Sequence, residues 1–176
     1  FANSVILKNI PGSEIFTGPV RTGVNGTILA KGKFQMGGDN AVMQDITLVF
    51  RDGKVIEFHA AQGEENLARI LARDDGHGEG TRFTGELGIG TNPHLRRHSL
   101  NPLLVEKVGG SFHIALGDAY RYTEYDGKPV YLDNGNRSHS GTHWDIATML
   151  RGKGGKMFID ETLVQDNGDW IGNDFD

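Results

Sequence analysis

Ile46-Thr-Leu-Val-Phe-Arg-Asp-Gly-Lys-Val-Ile-Glu-Phe58 decides the fold class of this 176-residue chain. The apolar run Ile46 to Phe50 and the alternating stretch Val55 to Phe58 flank Asp52-Gly53, a dipeptide suited to the positive φ angles of a tight hairpin turn. The signal recurs twice. Asp126-Gly127 precedes Val130-Tyr-Leu132, and Asn167-Gly168 follows Thr162-Leu-Val164. With 26 glycines cutting the chain into short segments, antiparallel strand is the dominant expectation. Helices are fewer. Glu64 to Arg73 places Leu67, Ile70 and Leu71 on one face, with two acidic residues in the first turn and Gly76 beyond the last. Pro102 to Val108 reads as a second, short helix with Asn101 as N-cap, Pro102 at its first position and Gly109 at its end, so that Glu106 projects from it. No internal repeat, linker or low-complexity tract divides residues 1–176. The expected fold is therefore one α+β domain rich in antiparallel strands, with a few short helices.

Composition excludes several classes of function. A chain of this length with 37% hydrophobic residues has material for a sizeable core. A formal charge of -5 with no basic cluster beyond Arg96-Arg97 gives no face for a nucleic-acid backbone or an anionic membrane. No apolar run approaches the ~20 residues of a membrane span, and the first residues do not follow the pattern of a signal peptide. The absence of Cys removes disulfides and thiolate ligands, so any metal must be held by oxygen and imidazole. A cytoplasmic location is the expectation. Because the sequence starts at Phe1 and stops at Asp176, a piece of a longer chain is expected.

The residues with chemistry stand in three segments. In Gly110-Ser-Phe-His-Ile-Ala-Leu-Gly117 the bulky apolar residues alternate with Ser111, His113 and Ala115, which puts His113 on the face opposite them. By itself a lone histidine is more often a core imidazole bonded to a backbone carbonyl. His143 and Asp145 share a face if Thr142 to Ile146 is extended, and one ion can then take both; the plain alternative pairs Asp145 with His143, Arg137 or Arg151. Trp144 between them points to the packing side. Glu86, in Thr84-Gly-Glu-Leu-Gly-Ile-Gly90, has glycines that allow close approach of an ion or substrate, or else pairs with Arg82 or Lys107. Glu14 reads locally as a loop carboxylate. Of the remaining histidines, His77, His94, His98 and His139 are expected at the surface or behind the site.

Taken in order, Pro11-Gly-Ser-Glu-Ile-Phe-Thr-Gly-Pro19, Val24-Asn-Gly-Thr27, Gly85-Glu-Leu-Gly-Ile-Gly-Thr-Asn92, Glu106-Lys-Val-Gly-Gly-Ser-Phe-His-Ile-Ala-Leu-Gly117 with Tyr120, and Ser140-Gly-Thr-His-Trp-Asp145 resemble the thermophilic-type metallo-aminopeptidases. That family includes aminopeptidase T, aminopeptidase S and their streptococcal relatives. The resemblance implies the C-terminal, metal-binding catalytic half of a longer chain whose N-terminal α/β domain precedes Glu14, and a homodimer at full length. It implies that Glu14, Glu86, His113, His143 and Asp145 hold two divalent cations, one carboxylate bridging. Glu106 matches an acidic position of the same site, as ligand or as general base, and Tyr120 matches a tyrosine that helps at the scissile carbonyl. Four carboxylates balance two dications and two neutral imidazoles complete the shells. Zinc is the default expectation, with cobalt or manganese acceptable to the same donors. Two such ions activate a water and polarise the first peptide bond of a peptide with a free N-terminus. His113, His143 and Asp145 alone would also suit a mononuclear non-haem iron oxygenase, and a non-catalytic metal-binding β-rich domain is a third reading; the first leaves Glu14, Glu86 and Glu106 unused, and the second is disfavoured by the lack of Cys.

Overall fold

The computed structural model describes residues 2–3, 9–36, 41–73, 80–136, 141–152 and 154–172. In chain order the elements are β1 (Ala2–Asn3), β2 (Glu14–Thr17), β3 (Gly26–Gln35), β4 (Val42–Arg51), β5 (Lys54–Gln62), α1 (Glu64–Leu71), β6 (Thr84–Gly90), α2 (Pro102–Val105), β7 (Ser111–Gly117), β8 (Tyr122–Tyr125), β9 (Lys128–Tyr131), β10 (His143–Met149), β11 (Lys156–Ile159), β12 (Thr162–Asp166) and β13 (Asp169–Trp170). The architecture is the β-rich α+β domain that the turn signals predict.

Local chemistry explains the hairpins. Asp52-Gly53, Asp126-Gly127 and Asn167-Gly168 all have positive φ at both positions, which is the two-residue turn whose twist matches the flanking strands. At Gly53 no other residue fits, because an added Cβ would lie 2.0 Å from the Arg21 carbonyl oxygen. These turns close β4–β5, β8–β9 and β12–β13. A fourth turn, Asp160-Glu161 between β11 and β12, adopts the same positive φ values without glycine. It went unpredicted, since glutamate rarely takes that conformation.

Two antiparallel sheets make the core. The five-stranded sheet has the order β1-β2-β6-β7-β10, and the three-stranded sheet the order β3-β4-β5. Ile28, Ala30, Ile46, Leu48 and Phe50 of the smaller sheet pack with Ile114, Leu116, Trp144 and Ile146 of the larger one, joined by Leu67, Ile70 and Leu71 of α1. Leu116 and Ile146 have no exposed surface, and each fully buried Leu or Ile stabilises by roughly 1.5–3 kcal/mol. The period of two in β7 and β10 then fixes the rest. Every residue between those core residues points to the sheet's other face, which is where His113, His143 and Asp145 stand.

Two expectations need correcting. The second helix is one turn, ending at Val105 rather than Val108, because Val108 bridges to Asn92 and the Lys107 carbonyl accepts from the Asn92 N–H at 3.1 Å. Asn101 caps it as expected, its side chain accepting from the Leu103 N–H at 2.9 Å. Glu106 is the residue at the helix end, not on its body. The first helix runs Glu64–Leu71 and Arg73 follows it; Gly76 and His77, like Arg137 and His139, lie outside the described residues.

Candidate metal centre

Four strands and one helix end supply the site. β7 pairs with β6 on one side and β10 on the other, so Glu86 and Asp145 face each other across Ala115, and Gly88 and Ala147 flank His113. β2 pairs with β6, Glu14 opposite Gly90, which puts Glu14 on the same face of the sheet. Glu106 arrives from the end of α2. A bulge at Gly85 sets Glu86 in register: Thr84 opposes Leu116 while Glu86 opposes Ala115. Asn136 holds the bulge by donating to the Thr84 carbonyl at 2.9 Å.

The glycines around Glu86 do not leave room for an outside ligand, contrary to the sequence expectation. A Cβ at Gly85 would lie 2.1 Å from the Asp118 carbonyl oxygen, and one at Gly88 only 2.2 Å from both Cε1 and Nε2 of His113. The space belongs to the chain's own backbone and to the imidazole. That same Asp118 carbonyl oxygen is 2.9 Å from His143 Nδ1, which turns Nε2 of that ring towards the site.

Six donors converge there. His113 Nε2 lies 2.8 Å from Glu14 Oε1, 3.5 Å from Glu86 Oε1 and 3.8 Å from Asp145 Oδ1. His143 Nε2 lies 2.9 Å from Glu86 Oε2 and 3.8 Å from Asp145 Oδ1. The donors fall into two groups, Glu14–Glu106–His113 and Glu86–His143–Asp145, and within each group one ligand atom per residue lies within 4.8 Å of the others. His113 is fully buried, and Glu14 and Glu86 are 2% exposed. Nevertheless Glu14 Oε1, Asp145 Oδ1 and both nitrogens of His113 make no hydrogen bond of acceptable geometry among the described residues. Buried polar atoms are normally satisfied, so orphans that point at one another from several elements are what a cation site looks like without its cation. The donor set of oxygen and imidazole fits a divalent metal.

Charge coupling within the metal-free site is strong. Burial alone would depress the imidazoles, but the carboxylates outweigh it, raising His113 to about 10 with Glu14 and Glu86 as the main partners and His143 to about 9 with Glu86 as the main one. Glu86 would be pushed up by burial and is instead held at about 2 by His113 and His143. Burial raises Glu106 to about 7, reinforced by Asp145 and Glu14, and raises Asp145 against the pull of the two imidazoles. Tyr120 packs against Phe16, with ring centroids 4.7 Å apart, and meets His143 edge-on at 5.5 Å. Burial and the four nearby carboxylates keep its phenol far above the usual range, hence neutral and able to donate.

Of the plain alternatives, the ion pair of Asp145 with His143 is present, at 3.8 Å. Arg151 pairs with Asp169 at 2.8 Å rather than with Asp145, and Arg82 lies over the Phe58 ring. Trp144 is in the core. His98 is bonded to the Lys33 carbonyl beside Phe34, and His94 is exposed. Lys107 is the residue sequence reasoning misplaced. Considered only as a partner for Glu86, it is buried and bonds Glu14 Oε2 and, at 2.5 Å, Glu106 Oε1. Its one sequence signal is a lysine beside Glu106 in an otherwise apolar, glycine-rich stretch.

Aminopeptidase 2 of Geobacillus stearothermophilus is 36% identical over 131 residues, 72% of this chain and 28% of its own. Aminopeptidase AmpS of Bacillus subtilis (strain 168) is 29% identical over 128 residues, 70% of this chain and 29% of its own. Aminopeptidase T of Thermus thermophilus is 32% identical over 123 residues, 69% of this chain and 28% of its own. The chain therefore spans less than a third of the length of these curated relatives. The solved structure of wild-type AmpT from Thermus thermophilus matches with a TM-score of 0.63 at 23% identity, over 93% of this chain and 40% of that one, which shows a shared fold. A family model for thermophilic metalloproteases (M29) matches residues 2–170, and the chain belongs to that family.

Proposed function

We propose that residues 1–176 form the metal-binding catalytic domain of a longer aminopeptidase that removes N-terminal residues from peptides. The observation that carries the reading is the division of six donors, all but His143 buried or half-buried, into two groups, each of three residues. Glu14, Glu106 and His113 would hold one divalent cation, and Glu86, His143 and Asp145 the other. Glu86 turns Oε1 towards His113 and Oε2 towards His143, which suits the bridging carboxylate. When bound, such a pair of ions supplies an activated water and polarisation of the scissile carbonyl, with zinc the default and cobalt or manganese acceptable to the same donors. Tyr120, neutral and beside His143, donates a hydrogen bond to the oxygen on which charge develops. A single iron on His113, His143 and Asp145 would leave Glu14, Glu86 and Glu106 without a role, and it would draw its two imidazoles from different groups.

The experiment is a peptide with a free amino terminus and its N-acetylated counterpart, each incubated with the zinc-loaded chain. Release of the first residue from the free peptide alone is expected, and Tyr120→Phe should lower kcat with little change in KM. Equal cleavage of both peptides, or of neither by a chain carrying both ions, contradicts the proposal. Glu106→Gln separates its two possible roles, since loss of a ligand lowers metal content whereas loss of a base keeps the ions and stops turnover.

A further inference from the structure

Lys107 is 1% exposed, the largest side chain among the described residues to be so fully enclosed. A buried ammonium costs several kcal/mol unless it is paired, and this one is paired with two carboxylates, Glu14 and Glu106, that also belong to one half of the metal centre. Its backbone is fixed on both sides. The Lys107 N–H donates to the Leu104 carbonyl at 3.1 Å, and its own carbonyl accepts from Asn92. The other half is built differently: the ion pairs of Glu86 and Asp145 among the described residues are with His113 and His143.

This difference has a chemical consequence. The ring nitrogens of His113 and His143 can themselves serve as metal donors. An ammonium of the lysine type has three N–H donors and no acceptor, so it stays a competitor for the carboxylate oxygens. Glu14 gives Oε2 to Lys107 and keeps Oε1 for another partner, and Glu106 gives Oε1. We infer that Lys107 is the built-in cation of the Glu14–Glu106–His113 half, that it neutralises those carboxylates in the metal-free chain, and that it makes loading ordered, the Glu86–His143–Asp145 half filling first. The inference rests on the two-ion reading above and deepens it. Lys107 acts as a positioning residue, holding Glu14 and Glu106 together and setting how tightly the second ion is held.

The test is titration of the chelator-stripped chain with Co²⁺, followed by visible absorption and by heat. Two steps are expected, separated by about tenfold or more in affinity, since each ~1.4 kcal/mol of competition is one factor of ten. Lys107→Met keeps most of the buried stem and removes the charge. It should tighten the second step by a similar factor, while the metal-free variant melts at a lower temperature than the wild type because Glu14 and Glu106 are left facing each other. A second step unchanged or weakened in Lys107→Met overturns the inference. If that variant does not fold, Glu106→Gln decides: weakening of the second step alone supports the order, and weakening of the first step overturns it. Failure of the wild-type chain to bind any Co²⁺ would instead contradict the two-ion reading itself.

Discussion

His113 shows how one residue can set the pH behaviour of the molecule. It is buried against Glu14, Glu86 and Asp145, and in the metal-free chain its pKa is raised to about 10, with His143 raised to about 9, from an ordinary value of 6.5. Both groups gain their partners on folding. The stability they contribute is therefore complete below pH 6.5 and is lost as the pH rises through about 9 to 10. Glu86 works in the opposite sense, since a carboxylate held at about 2 contributes stability above its ordinary 4.5 and loses it as the pH falls towards 2. Metal must displace the imidazole protons, so metal affinity should climb over the same alkaline window in which the metal-free fold weakens. Thermal melting of the chelated chain from pH 6.5 upwards checks this. A falling melting temperature is expected, together with release of protons on metal binding, measured by calorimetry in buffers of different ionisation enthalpy; a flat profile and no proton release would contradict it.

At the scale of elements, the pairing of β6 with β7 decides whether the centre exists. Gly88 opposes His113 across the ladder, and the imidazole fills the place where a Cβ would be. Gly88→Ala should therefore push the ring off its carboxylates, destabilise the fold by about 1–3 kcal/mol and lower the bound metal below two ions per chain. Melting and elemental analysis of the variant check this; retention of both ions at wild-type stability would contradict it. The same pairing shows what can be read from sequence. The Asp-Gly and Asn-Gly turns, α1, and the alternation in β7 and β10 are local patterns, and each predicted its element; for α1 the pattern also marked the buried face, Leu67, Ile70 and Leu71. Gly88 and Lys107 owe their roles to residues 25 and 93 positions away along the chain, which no local spacing reports. β3 is obscured by a register shift between Ala30 and Lys33, which breaks the period of two, and the Asp160-Glu161 turn lacks the glycine that would announce it. Glu14 looked like a loop carboxylate because β2 has only four residues and is defined by its neighbours β1 and β6.

For the whole molecule, the two faces of the five-stranded sheet divide the work. One face packs with the three-stranded sheet and α1 to make the core, and the other carries five of the six donors, so those side chains inherit the rigidity of the core through their own strands. Only Glu106 comes from outside the sheet, tied to it through Lys107 and Glu14. On the proposed function, this chain, spanning less than a third of its curated relatives, would assemble a two-metal centre by itself. Metal stoichiometry by elemental analysis, on the chain as purified without chelator and after re-loading with zinc, tests it most directly. Two ions per chain are expected, and Glu86→Gln should remove one or both. A single ion that Glu86→Gln leaves in place, or no ion after re-loading, would contradict it.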